Sequence, residues 1–266
     1  MNNVLLAFPE GKHKVLTLSY DDGRTADRRL VRLLNDYGIK ATFHLNSGLA
    51  GEGDRIPLDQ AAELYRDHEI AAHTVNHPTL ARCAREQIVS EIIEDRRVLE
   101  KITGYPVRGF SYPNGSLNRQ IKELLPALGI DYARTVASHG AFHMPDDLME
   151  WNPTCHHNQN LLALTEPFKQ LDRRQYLYLM YVWGHSYEFD QDNNWELIES
   201  FCESVGRRDD IWYATNIEIT DYLNCYQHLR FAASMEFVYN PSADSVWLDA
   251  GGTIIEAKGG SRTQLL

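Results

Sequence analysis

Positive charge is scarce in this sequence. The chain has 26 Lys and Arg residues against 37 Asp and Glu residues, which gives a formal net charge of -11 at pH 7. No stretch forms the basic patch that a protein needs to neutralise phosphates. We therefore exclude nucleic acid as a partner.

Long apolar runs are also missing. No run approaches the roughly 20 residues that cross a bilayer, so we expect no membrane span. Residues 1–10 lack the basic and apolar segments of a secretory leader, which favours a cytoplasmic location, whereas removal of a leader would point to the cell envelope or secretion. The four cysteines contain no C-x-x-C pair, which excludes a zinc ribbon and a thiol redox motif.

Predicted strands alternate with predicted helices along most of the 266 residues. The strands are 15–19, 41–45, 70–72, 109–112, 132–136, 176–183 and 211–215, and the helices are 30–34, 59–66, 85–102, 121–128, 195–205 and 217–229. Such alternation is typical of a parallel sheet covered by helices. We expect an α/β fold, a distorted (β/α) barrel of about seven parallel strands.

Two regions depart from this alternation. Residues 137–175 contain three prolines and few periodic positions, which predicts long loops that shape a substrate groove. Short strands at 236–239, 245–248 and 253–255 are separated by turn-forming residues. We predict a catalytic barrel over 1–230 and a small β extension packed on it over 231–266.

Polar residues interrupt the ends of several predicted strands, where functional residues gather in parallel β/α folds. These residues are Asp21, Asp22, His73, His77, Arg108, Tyr112 and His185. Two imidazoles four residues apart, as on one helical turn, come within reach of a single ion. One aspartate then completes a two-His, one-carboxylate metal site, and the other is free to act as a base. Taken alone, Asp-Asp-Gly is typical of a simple turn and His-x-x-x-His is usually incidental.

Four segments, taken together in their order along the chain, favour a functional site over incidental motifs. They are Ser19-Tyr20-Asp21-Asp22-Gly23, His73-Thr74-Val75-Asn76-His77, Arg108-Gly109-Phe110-Ser111-Tyr112-Pro113 and Trp183-Gly184-His185. In order and spacing, over about residues 15–220, the chain resembles the polysaccharide deacetylase family, also called the NodB-homology or family 4 carbohydrate esterases. The combined set is far more specific than any one motif.

The resemblance implies a metal-dependent hydrolase that removes acetyl groups from amide nitrogen. It implies that Asp21 is the catalytic base and that Asp22, His73 and His77 hold one divalent ion. We expect zinc, although the ligand types also suit cobalt, nickel, manganese or iron.

Further roles follow from the same resemblance. Arg108 is expected to orient and charge-pair the base, the backbone N–H of Tyr112 to stabilise the oxyanion, and His185 to act as the general acid. The Asp and Trp that usually support this late histidine have no plain counterpart here. His156 and His157 occupy that region and are interpreted as solvent-exposed loop residues, and His44 as a packing residue.

The expected substrate is a carbohydrate that contains N-acetylhexosamine, with Trp151, Trp183 and Tyr187 available to stack on sugar faces. A second hypothesis keeps the metal site but assigns it a small ester or non-sugar amide. A third is a carbohydrate-binding protein without turnover. The oligomeric state is left open.

Overall fold

Strands and helices alternate in the computed structural model, which describes residues 3–265. The strands β1 to β14 are Val4–Ala7, Lys14–Asp21, Ala41–Leu45, Glu69–Ala72, Gly109–Ser111, Tyr132–Arg134, Cys155–His156, Tyr178–Gly184, Ile211–Tyr213, Arg230–Phe231, Phe237–Tyr239, Val246–Ala250, Thr253–Ala257 and Arg262–Gln264. The helices α1 to α8 are Asp27–Asp36, Leu58–Leu64, Arg85–Thr103, Arg119–Leu124, Leu161–Lys169, Tyr187–Gln191, Trp195–Val205 and Asn216–Gln227.

The central sheet has eight strands in the order β6-β5-β4-β3-β2-β8-β7, and β9 also pairs with β2. All of its ladders are parallel. Trp151, just before the edge strand β7, forms a bridge with Arg134 of the opposite edge strand β6. The two edges are thus linked, and the expected distorted (β/α) barrel is confirmed; the strand added to the predicted seven is the two-residue β7.

Both faces of the central strand β2 are buried. All eight residues of β2 are buried, because helices cover one face of the sheet and barrel-interior side chains cover the other. On the outside, α1 buries Leu30, Val31 and Leu34 against the sheet. These positions follow the helical spacing that predicted the segment.

The prediction of loops over 137–175 is wrong in two places. The segment contains β7 and α5. Strand β7 has two residues and is too short to show a periodic pattern. Helix α5 buries Leu161, Thr165 and Phe168 on one face, but Pro167 inside it is a residue that normally ends a helix, so the sequence did not predict it. Strand β1 was also not predicted.

The C-terminal strands form two small antiparallel sheets, β1-β12-β13 and β10-β11-β14. Predicted strands 236–239, 245–248 and 253–255 correspond to β11, β12 and β13. The extension shares an apolar cluster with the barrel, in which Leu248 joins Tyr181 and Ile219. The division into 1–230 and 231–266 stays a prediction, and residues 1, 2 and 266 lie outside the described part. Within 3–265, no helix has both the length and the apolar character needed to cross a membrane.

One glycine allows two strands to approach closely. A Cβ on Gly109 would lie 2.2 Å from Oη of Tyr132 and 2.7 Å from Oε1 of Glu69. Those two atoms form a buried hydrogen bond of 2.7 Å. An added methyl group would therefore have to displace this buried pair.

Replacement of Gly109 by Ala should therefore lower the free energy of unfolding by roughly 3 kcal/mol through overpacking. Gly53→Ala is the matched control, since no atom lies within 4 Å of its Cβ position and only its φ of +57° opposes alanine. We expect about 1 kcal/mol there. Urea unfolding measures both, and equal losses would show that the close approach at Gly109 has no energetic weight.

Candidate active site

The carboxyl ends of β2, β4 and β8 lie at one end of the barrel. Asp21 is the last residue of β2, His73 directly follows β4, and His185 directly follows β8. Parallel pairing places these strand ends on the same edge of the sheet. Residues far apart in sequence therefore surround one site.

Asp22, His73 and His77 form a group of metal-type ligands. One ligand atom from each lies within 4.8 Å of the others. Oδ1 of Asp22 is 3.9 Å from Nε2 of His73 and 3.8 Å from Nε2 of His77. Oδ1 of Asp22 and Nε2 of His73 are buried without a hydrogen-bond partner. A shared divalent cation would satisfy both atoms, so the donor set fits the expected ion.

The tautomer of His73 supports this fit. Its Nδ1 lies 2.9 Å from the carbonyl oxygen of Ser111, which only accepts hydrogen bonds. The ring proton therefore sits on Nδ1, and Nε2 keeps its lone pair. Burial lowers the pKa of His73 to about 4, so the ring is in the neutral form that binds metals.

The two histidines do not share a helical turn, contrary to the sequence expectation. They lie in a loop in which Thr74 has φ 69° and His77 has φ 56°, and Asp22 also has a positive φ, 76°. Non-glycine residues rarely adopt this left-handed region, and such conformations persist where surrounding contacts enforce them. The left-handed backbone conformation at Thr74 and His77, rather than helical spacing, brings the two imidazoles together.

Two carboxylates of α3 hold this loop. Asp95 accepts hydrogen bonds from the backbone N–H of His73 at 2.9 Å and of Ser47 at 2.8 Å. Glu91 accepts from the backbone N–H of Asn76 at 2.9 Å. Burial raises the pKa of Asp95 to about 7. The long helix thus fixes the ligand loop from behind.

Asp21 forms a buried ion pair with Arg134. The hydroxyl of Ser111 donates to Oδ1 of Asp21 at 3.2 Å, and Nδ1 of His44 lies 3.4 Å from the same oxygen. Burial alone would raise the pKa of Asp21, but the Arg134 guanidinium, followed by His73 and His44, holds it well below the usual range. The carboxylate is therefore ionised. His44 is a contact of this carboxylate and not only a packing residue.

The assignment of Arg108 as the partner of Asp21 is wrong. Arg108 precedes β5, at the amino end of the strand, where its guanidinium binds Asp131 at 2.6 Å and Asp221 at 2.6 Å. Arg134 ends β6 and so reaches the carboxyl edge. The available signal was an arginine inside the otherwise apolar predicted strand 132–136.

Two further expectations are also wrong. The backbone N–H of Tyr112 donates to the carbonyl of Arg134 at 3.1 Å, so sheet pairing already uses the proposed oxyanion donor. Trp151 is fully buried and packs its ring 5.7 Å from Tyr132 and 5.1 Å from Tyr181. It fills the barrel and cannot stack on a sugar.

Trp183 and Tyr187 flank the site as half-buried rings. The guanidinium of Arg134 lies 4.6 Å from the ring centre of Trp183, and that of Arg24 lies 4.7 Å from Tyr187. Their rings lie 6.0 and 5.3 Å from the imidazole of His185. They form aromatic walls around this histidine.

His185 contacts a carboxylate that sequence reasoning missed. Its Nδ1 lies 3.4 Å from Oε1 of Glu188, three residues further along. Burial alone would lower the pKa of His185, but its contact with Glu188 and the charges of Asp21 and Asp22 raise it. The protonated form is therefore favoured, as proton donation requires.

The interpretation of His156 and His157 as solvent-exposed is wrong. His157 is fully buried, with its ring 4.2 Å from that of Phe189 and 5.8 Å from that of Tyr20. The side chain of His156 is 13% exposed. The chain turns inward here because β7 pairs with β8.

Comparison with known proteins supports the motif resemblance. Residues 9–133 match the model of the family described as polysaccharide deacetylase. The peptidoglycan-N-acetylglucosamine deacetylase PgdA of Listeria monocytogenes is 25% identical over 118 residues, which cover 43% of this chain and 25% of that protein. The chitooligosaccharide deacetylase of Rhizobium leguminosarum bv. phaseoli is 25% identical over 139 residues, 52% of this chain and 56% of that protein.

The fold has a counterpart among solved structures. A Mycobacterium smegmatis protein assigned to the polysaccharide deacetylases superposes with a TM-score of 0.62 at 15% identity, and the match covers 85% of this chain and 96% of that one. The matches to PgdA and the Rhizobium enzyme span between a quarter and about half of those curated relatives. The resemblance to the polysaccharide deacetylase family is confirmed over the matched region, which includes Asp21, Asp22, His73 and His77.

Substitution of Arg134 and of Arg108 should change the free energy of unfolding by different amounts. Arg134→Gln leaves the buried Asp21 carboxylate without its cation, which should lower the free energy of unfolding by about 3–5 kcal/mol. Arg108→Gln removes a guanidinium that is 33% exposed, and we expect a loss of about 1 kcal/mol or less. Urea unfolding of both variants in one buffer tests this, and a larger loss for Arg108→Gln would contradict the assignment.

Proposed function

We propose that this chain, a member of the polysaccharide deacetylase family through residues 9–133, is a metal-dependent hydrolase. It removes N-linked acetyl groups from a carbohydrate that contains an amino sugar. The main support is the group of Asp22, His73 and His77, of which the first two are buried, beside the ionised carboxylate of Asp21. This arrangement combines a cation site with a separate base.

The substrate class rests on two relatives. The name of one gives peptidoglycan N-acetylglucosamine as its substrate, and that of the other gives chitooligosaccharide. Both names describe amide cleavage on an acetylated amino sugar. The half-buried rings of Trp183 and Tyr187 supply the flat apolar surface that the face of a sugar ring contacts.

In our proposal Asp22, His73 and His77 hold zinc, which acts as a Lewis acid toward the acyl carbonyl and lowers the pKa of water. Asp21 takes the proton of the attacking water. Arg134 and Ser111 orient this carboxylate through the ion pair and the hydroxyl hydrogen bond. The base is thus held in place before the substrate arrives.

His185 completes the proton transfer. As the C–N bond breaks, its imidazolium donates a proton to the departing nitrogen, because an amide anion is a very poor leaving group. The contact of His185 with Glu188 favours the protonated ring that this step needs. Acetate and a free amine are the products.

Release of acetate tests the proposal directly. The zinc-loaded protein should release acetate from chitooligosaccharide, and chelation of the metal should abolish the release because the cation is required. An aryl acetate serves as the comparison substrate. Release from the aryl acetate and from none of the sugars would favour a small-ester hydrolase, and sugar binding without hydrolysis would favour a binding protein.

Two substitutions separate the base from the ligands. Asp21→Asn should keep the bound zinc and lose turnover by roughly 10²–10⁴-fold, the usual contribution of a positioned base. His73→Ala should lose both zinc and turnover, whereas Arg108→Gln, remote from the carboxyl edge, should keep both. Elemental analysis beside the acetate assay gives the answer, and a fully active Asp21→Asn protein would refute the role of Asp21.

A further inference from the structure

A second group of metal-type ligands lies beside the first one. We call it the His156 cluster, and it consists of His156, His157 and Glu188, with one ligand atom from each within 4.8 Å of the others. Nε2 of His156 is 3.2 Å and Nε2 of His157 is 3.1 Å from Oε2 of Glu188. Like Asp22, His73 and His77, it comprises two imidazoles and one carboxylate.

The contact between His157 and Glu188 falls outside good hydrogen-bond geometry, although 3.1 Å separates Nε2 from Oε2. Both ring nitrogens of His157 are buried without a hydrogen-bond partner, although Nε2 is close enough to the carboxylate oxygen. Buried polar atoms are rarely left unpaired. Ligand atoms bound to one tetrahedral zinc at about 2.0–2.2 Å lie roughly 3.3–3.5 Å apart, close to the separations seen here. A cation shared by these atoms accounts for both observations.

Packing holds the ring of His157 in place before any ion binds. The ring of His157 lies between Phe189 and Tyr20, and a Cβ on Gly184 would come within 2.1 Å of its Nδ1. Glu188 lies in helix α6. Ligands fixed by packing lose little conformational freedom on binding, which favours a built site.

The carboxylate of Glu188 can serve two neighbours at once. Its Oε2 faces His156 and His157 and accepts a hydrogen bond from the backbone N–H of His185 at 3.1 Å, whereas its Oε1 lies 3.4 Å from Nδ1 of His185. An ion on Oε2 therefore leaves Oε1 in contact with His185. The cluster does not take its ligands from the first group.

The tautomer of His156 indicates which of the two groups binds a cation more tightly. The backbone N–H of Asn158 donates to Nδ1 of His156 at 3.2 Å, so the neutral ring carries its proton on Nε2. A cation at Nε2 requires that proton to move to Nδ1, which breaks the hydrogen bond from Asn158. His73 already holds its proton on Nδ1, where the Ser111 carbonyl accepts it. The His156 cluster should therefore bind the same ion more weakly.

We propose that the His156 cluster is a second divalent-cation site, suited to first-row ions such as zinc. The site is separate from the Asp22, His73 and His77 group and fills after it. The inference stands on the ligand geometry and does not depend on deacetylase activity.

Metal content per chain tests the proposal. After equilibration with excess zinc and removal of free ion, the full chain should hold two ions, and Asp22→Asn and His157→Phe should each hold one. Phenylalanine keeps the stacked ring at position 157 and removes the nitrogens. The variant with both substitutions should hold none. His143→Phe is the control, since it removes an exposed histidine outside both groups and should keep two ions.

A zinc titration tests the order of filling. Asp22→Asn should need at least tenfold more free zinc than His157→Phe to reach half occupancy. Similar zinc requirements would overturn the ranking.

The same measurement of zinc content can contradict the proposed site in the His156 cluster. One ion in the wild type and one in His157→Phe would show that the cluster holds only protons. If the Phe variant does not fold, Glu188→Gln, which keeps the side-chain size, replaces it in the comparison. Loss of one ion in His157→Phe together with retention of two in Asp22→Asn would overturn the first site and leave the second standing, so the two proposals fail separately.

Discussion

The ion pair between Asp21 and Arg134 is the constraint on which the site depends. Both side chains are almost fully buried, and a buried charge is tolerated only beside its partner. Asp21 ends β2 and Arg134 ends β6, with three strands between them in the sheet order. They meet only because the sheet curls, so the ionised state of Asp21 depends on closure of the barrel.

Tautomers decide what each histidine can do. The carbonyl of Ser111 places the proton of His73 on Nδ1 and leaves Nε2 for a cation. The N–H of Asn158 does the reverse at His156. The two groups of ligands therefore differ in how readily they bind a cation. The difference comes from single backbone groups near the strand ends and not from the types of ligand.

His185 lies between these two environments. Glu188 contacts it on one side, and the charges of Asp21 and Asp22 act on it as well. Glu188 thereby takes a supporting place for which the sequence showed no plain candidate. The five-residue helix α6, which begins shortly after β8, supplies it, so His185 and its carboxylate contact come from one short segment.

By itself the sequence determined the β/α order, because apolar runs and helical spacing are local features, and its motifs identified Asp22, His73 and His77 as a candidate metal group. Only the tertiary structure decided the pairing of Arg134 instead of Arg108 with Asp21, and the burial of Trp151 and His157. A pairing or a burial depends on which strand ends face each other after the sheet closes. No local pattern in the chain encodes that distance.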